Sequence, residues 1–187
     1  MKQITFDKVT LGGFWKNRND INKSATIPTI YERFSDTGRF DSLKCEWKEG
    51  MPHKPHIFWD SDIAKWIEAA AYSIRYTPDK ELERKIDETV DLIAANQTED
   101  GYFNSYYLSV EPENRFTNRD NHELYCAGHL LEAAVAYYNA TDKDKLLTIM
   151  KKYLDYIEKR FIIEDSALFN TPGHEEIELA LVKLYAC

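Results

Sequence analysis

Apolar positions along the chain recur at helical spacing over most of its length. Ile63, Trp66, Ile67, Ala70, Ala71 and Ile74 trace one face of a helix that opens at Asp60 or Ser61 and ends before Pro78. Leu82, Ile86, Val90 and Ile93 form the stripe of a second helix, from about Pro78 to Gln97. Asn121 is set to cap a third, running to about Asn139. Thr141 or Asp142 opens a fourth, carrying Leu146, Ile149, Met150, Tyr153, Leu154 and Ile157. Pro172 and Gly173 start a fifth that runs to Cys187, so the chain reads as stopping inside a helix. Upstream, a helix is expected from Lys16 to Phe34, interrupted near Pro28, after a short strand over Ile4–Val9. Residues 36–58, with Gly38, Gly50, Pro52 and Pro55, read as a long loop.

The spacing of connections gives an architecture. Short links at Thr77–Asp79 and Asn139–Asp142 make helical hairpins, and longer ones over 98–120 and 161–172 join one hairpin to the next. The leading helix of each pair is rich in small residues (Ala69, Ala70, Ala71; Ala133, Ala134, Ala136), whereas the second is amphipathic and charged. An inner ring of closely packed helices and an outer solvated ring follow: an all-α fold of helical hairpins forming part of an (α/α)6 barrel. An open one-layer solenoid is the alternative arrangement.

Charge narrows the partners. Against 24 Lys and Arg stand 32 Asp and Glu, a net charge of −8 without any basic block, so nucleic acid and anionic membrane surfaces are excluded as main partners. No apolar run is long enough to span a bilayer, and the start lacks the apolar segment of a signal peptide. Three widely spaced cysteines, Cys45, Cys126 and Cys187, suit reduced thiols in a cytoplasmic protein. Twelve Tyr and four Trp in an acidic chain suit either a neutral sugar ligand or plain core packing.

Candidate chemistry gathers where leading helices begin, because these helices run parallel and their N-termini meet at one end. Phe58-Trp59-Asp60-Ser61-Asp62, Asp120-Asn121-His122-Glu123 and Gly173-His174-Glu175-Glu176 stand there. Helix starts offer unpaired N–H groups that can hold hydroxyls. His122, Cys126 and His129 share one face at i, i+4 and i+7, a spacing that suits pocket-lining imidazoles or, alternatively, a metal. Glu123 points to another face, as a cap or bridge. Glu175 and Glu176 diverge by about 100°, so at most one faces a shared pocket. Trp47, His53, His56, Phe58 and Trp59 can build a stacking wall for a sugar ring or simply anchor the long loop. Neither a GxSxG elbow nor a phosphate loop is present.

These residues also carry a resemblance. The stretch from Phe58 to Tyr72, Glu99-Asp100-Gly101-Tyr102, Asn121-His122-Glu123-Leu124-Tyr125-Cys126-Ala127-Gly128-His129-Leu130 and the stretch from Pro172 to Leu181 resemble the β-L-arabinofuranosidases of glycoside hydrolase family 127 over nearly the whole chain. The resemblance implies an (α/α)6 barrel followed by β-sandwich domains, and retaining removal of terminal β-L-arabinofuranose from plant-derived glycans. It implies a zinc-held Cys nucleophile, with further Cys residues and a Glu as zinc ligands and a second Glu as acid/base, all downstream of this sequence. Residues 1–187 are thus expected to be an incomplete, N-terminal part of a catalytic domain that holds no catalytic residue, metal ligand or cofactor of its own. The resemblance, with the helix-start pattern, marks His122, His129, His174, Glu175, Glu176, Trp59 and Asp60 as substrate-binding positions for an arabinofuranose-containing oligosaccharide. The other expectation is a non-enzymatic sugar- or protein-binding module that self-associates through the open barrel face.

Overall fold

The computed structural model describes residues 8–187, and every regular element among them is a helix. The strand expected over Ile4–Val9 lies, apart from Lys8 and Val9, outside the described residues. Helices α1 (Gly13–Ile21) and α2 (Ile27–Asp36) form one rod joined by a π-helical turn over Asn22–Thr26. The interruption expected at Pro28 takes this form because the proline has no N–H to donate back along the helix. A short α3 (Arg39–Ser42) sits inside the segment expected to be loop.

The hairpins follow. Helix α4 (Trp59–Tyr76) pairs with α5 (Lys80–Asn96), whose N-cap Asp79 accepts from the Glu81 and Leu82 N–H groups. Helix α7 (Glu123–Thr141) pairs with α8 (Lys145–Glu158), which a π turn extends to Ile163. The link between the pairs carries α6 (Ser105–Ser109), and α9 (Glu176–Ala186) comes last. Helices α4, α7 and α9 lie side by side as an inner row, with α5 and α8 touching behind them. Helix α7 is buried on nearly every side, as its Ala-rich sequence requires of a helix packed between others. Helices α5 and α8 bury one stripe each: Ile86, Val90 and Ile93; Leu146, Ile149, Met150 and Tyr153. The result is an arc of an α/α toroid. No helix among the described residues is long and apolar enough to cross a membrane.

Four expected helix starts are corrected. One is that of α8, which begins at Lys145 after Asp144 and not at Thr141 or Asp142, because α7 runs on through Thr141 with Asp142 as its C-cap. Helix α4 begins at Trp59 rather than at a cap on Asp60 or Ser61, because the buried Asp60 carboxylate instead accepts the Ser105 N–H at 2.8 Å and ties α4 to α6. His122, not Asn121, is the N-cap of α7; the Asn121 side chain donates to the Tyr107 hydroxyl at 2.9 Å. Helix α9 begins at Glu176 and not at Pro172-Gly173. Gly173 lies flat against the turn before α7, where an added Cβ would stand 2.6 Å from the Arg119 carbonyl oxygen. That close approach brings His174 to the α7 rim.

Candidate functional site

The N-terminal ends of α4 and α7 meet with the segment before α9, and Tyr125 stands at their centre. Its ring lies 5.5 Å from that of His122, 4.5 Å from His129, 4.8 Å from His174 and 6.4 Å from Phe58, all edge-on. Phe58 also stacks edge-on with His122 at 4.9 Å and lies 5.3 Å from His56. Lys65 donates from Nζ to the Tyr125 hydroxyl at 2.7 Å. Two of the expected imidazoles, His122 and His174, therefore flank one phenol at the mouth of the arc.

His122 is held there by its backbone. Its φ of +63° is left-handed, a conformation that histidine tolerates better than most side chains, and it turns the chain from the Arg119–Asn121 turn into α7. The ring Nδ1 contacts the Asp120 carbonyl oxygen. A carbonyl only accepts, so Nδ1 is the donating ring nitrogen in that contact.

Beside this group opens a cleft of about 580 Å³ lined by Arg39, Lys54, Phe58, Trp59, Lys65 and Tyr125. Arg39 is pinned to Asp62 at 2.9 Å and lies over the Trp59 ring at 5.2 Å. The long loop thus divides. His56, Phe58 and Trp59 reach the cleft, whereas Trp47 donates to the Met51 carbonyl at 3.1 Å and His53 packs onto Gly38, both anchoring the loop.

Behind Tyr125, Asp60, His129 and Glu176 are enclosed. Glu176 is 6% exposed and Asp60 2%. His129 Nδ1 stands 3.1 Å from Glu176 Oε1 and 3.5 Å from Glu132 Oε2. Lys183 contacts Glu132 Oε1 and lies 3.5 Å from Glu68. Burial and then the Lys65 charge push the His129 pKa down to about 4, so its ring is neutral. Burial, reinforced by the adjacent Glu132, pushes Glu176 up to about 8. Burial also works to raise Glu132, but the hydrogen bond from Glu176 and the Lys183 ammonium outweigh it and hold that carboxyl down. One proton is therefore kept between two carboxylates. Glu175 and Glu176 do diverge: Glu175 is exposed, Glu176 buried.

The His122–Cys126–His129 face does not act as one donor set. The Cys126 thiol is buried and donates to the Ile57 carbonyl at 3.2 Å. Glu123 bridges backward, its carboxylate accepting from the Tyr102 hydroxyl at 2.6 Å and the Phe116 N–H at 2.5 Å. Tyr125, Lys65, Glu132 and Lys183 were not among the expected site residues. Tyr125 was within reach of the spacing argument, three residues after His122 and four before His129. Lys65 and Lys183 reach the site only through helix packing, which a single stripe does not reveal.

The fold and the site together define an arc of an α/α toroid with an aromatic and imidazole rim at one end. The chain belongs to the family of beta-L-arabinofuranosidase GH127 catalytic domains, which it matches over residues 8–187. It is 43% identical over 134 residues to the non-reducing end beta-L-arabinofuranosidase of Bifidobacterium longum subsp. longum, covering 69% of this chain and 20% of that protein. Among solved structures it superposes with a TM-score of 0.87 on a GH127 beta-L-arabinofuranosidase from Geobacillus stearothermophilus T6, at 41% identity over 95% of this chain and 29% of that one. A second GH127 beta-arabinofuranosidase gives the same TM-score at 31% identity, covering 97% of this chain and 30% of that one. The chain thus spans less than a third of the length of these relatives.

Proposed function

We propose that this chain supplies part of the arabinofuranose-binding rim of a retaining β-L-arabinofuranosidase acting on plant-derived glycans. The observation that carries the reading is the convergence of His122 and His174 on Tyr125 from two different elements, beside a cleft large enough for sugar units. His122 offers Nε2 to a ring hydroxyl, His174 and Glu175 stand exposed next to it, and Trp59 gives the cleft a stacking face. His129, Glu176 and Asp60 support this rim from behind, the first two through Tyr125 and its neighbours and Asp60 through the α4–α6 tie.

The family's zinc does not fit the residues present. Of the three free thiols, Cys45 contacts the Leu43 carbonyl, Cys126 the Ile57 carbonyl and Cys187 the Asn139 side chain, so no multi-cysteine donor set gathers among the described residues. This reading assigns the chain alone no turnover. Free thiols suit a reducing, cytoplasmic setting.

The test is an NMR titration of the purified chain with methyl β-L-arabinofuranoside. Saturation transfer to the sugar is expected, weakened by His122→Ala and by His174→Ala while the fold is kept. Binding that neither substitution alters would refute the rim assignment. Release of a chromogenic β-L-arabinofuranoside by the chain alone would refute the assignment of no turnover.

A further inference from the structure

Between α7 and α9, His129, Glu132 and Glu176 each turn one donor atom toward a common point, and these atoms lie within 4.8 Å of one another. Two edges of this group are 3.1 Å from His129 Nδ1 to Glu176 Oε1 and 3.5 Å from His129 Nδ1 to Glu132 Oε2. Bonds of about 2.1 Å from imidazole nitrogen and carboxylate oxygen to a tetrahedral ion place neighbouring donors about 3.4 Å apart. These two edges therefore match a coordination shell, and the third, between the carboxylates, is no longer than 4.8 Å.

The contact between the Glu132 and Glu176 carboxyls, which share a proton, is the one hydrogen bond inside the cluster, and an incoming cation replaces that proton. Nδ1 of His129 and Oε1 of Glu176 have no hydrogen-bond partner in spite of their separation, because their alignment is wrong for one. Glu176 is more than nine-tenths buried, so an unpartnered oxygen there is costly unless something else fills the space. Lys183 does not occupy that point: its ammonium sits against the other oxygen of Glu132, Oε1. Packing fixes the donors. His129 and Glu132 are one helical turn apart on α7, and Glu176 is pressed onto Gly128, where an added Cβ would stand 2.8 Å from its Cγ. The imidazole is neutral, as a ligand must be, whereas Glu176, raised to about 8, gives up its proton to the ion, so binding releases a proton.

We propose that His129, Glu132 and Glu176 form a binding site for a divalent transition-metal ion, through one nitrogen and two carboxylate oxygens, that clamps α9 to α7 behind the Tyr125 rim. The donor set contains no thiolate and suits Zn²⁺, Mn²⁺ or Co²⁺. This inference is independent of what the rim binds.

The test uses the purified chain stripped with chelator and titrated with Zn²⁺ by calorimetry, with Co²⁺ as a spectroscopic probe. One equivalent per chain is expected, and the Co²⁺ complex should show ligand-field bands without a thiolate charge-transfer band. Glu176→Gln and His129→Gln should each weaken binding by about tenfold or more, whereas His122→Ala with His174→Ala should leave it unchanged. Circular dichroism confirms that each variant is folded, and His129→Gln stands in if Glu176→Gln is not. The proposal is overturned if the folded wild-type chain binds no stoichiometric metal. It is equally overturned if binding follows His122, His174 or the cysteines and survives both cluster substitutions.

Discussion

Single buried carboxyls set how this protein responds to pH. Burial pushes Glu123 up to about 7, although the Tyr102 hydroxyl, the Phe116 N–H and Arg115 all pull it down. Burial likewise raises Asp60 to about 6 against its hydrogen bonds with Ser105. The folded state thus holds these protons more tightly than the unfolded chain does. Their contribution is fully present below the unfolded values of 4.5 and 3.8 and is lost as pH rises through the folded ones. The melting temperature should therefore fall by several degrees between about pH 5.5 and about pH 8. Glu123→Gln should flatten that fall, because the amide accepts the Phe116 N–H and donates to Tyr102 without titrating. A thermal scan across this range decides the matter. A melting temperature that stays level or climbs would show that burial does not govern these groups.

Elements are held at distances that particular small residues permit. Helix α9 begins against α7 at Gly128, with the Glu176 carbonyl oxygen 3.0 Å and its Cγ 2.8 Å from where a Cβ would stand. Gly128→Ala forces the two helices apart at the point where Glu176 meets His129. It should destabilise the fold by about 1–3 kcal/mol and weaken any binding that needs His174 beside Tyr125. Denaturant unfolding measures the first effect and the sugar titration the second; a neutral Gly128→Ala would show that the contact gives way easily. The sequence discloses the helices better than such contacts. The stripes of α4, α5 and α8 name mostly buried residues, with Leu82, Leu154 and Ile157 only partly buried, because each helix meets its partner along one face. Helix starts were misplaced for a different reason: Asp60, Asn121 and Gly173 answer to Ser105, Tyr107 and Arg119, partners 45, 14 and 54 residues away. The candidate site divides in the same way. His122 and His174 were legible as helix-start residues, but the enclosure of Glu176 and the presence of Lys183 depend on how α9 lies on α7.

At the scale of the molecule, the inner row presents α9 at its end with one side bare. Leu179, Leu181, Val182 and Tyr185 are exposed, Val182 at 67% and Tyr185 at 94%, on a helix whose buried residues are Glu176, Ile177 and Ala180. At the other end of the chain Phe14 and Trp15 are exposed at 63% and 67% and meet each other edge-on. Apolar side chains of this size gathered on one helix favour association when nothing covers them. The isolated chain is therefore expected to sediment as a dimer or larger species at raised concentration. Val182→Lys with Tyr185→Lys should return it to a monomer, while Phe14→Ser with Trp15→Ser should do so only if the two ends meet head to tail, the arrangement that open assemblies use. A wild-type chain that stays monomeric across the concentration range would show that α9 tolerates its exposure. It would also remove the support for a self-associating module and leave the sugar-rim reading standing alone.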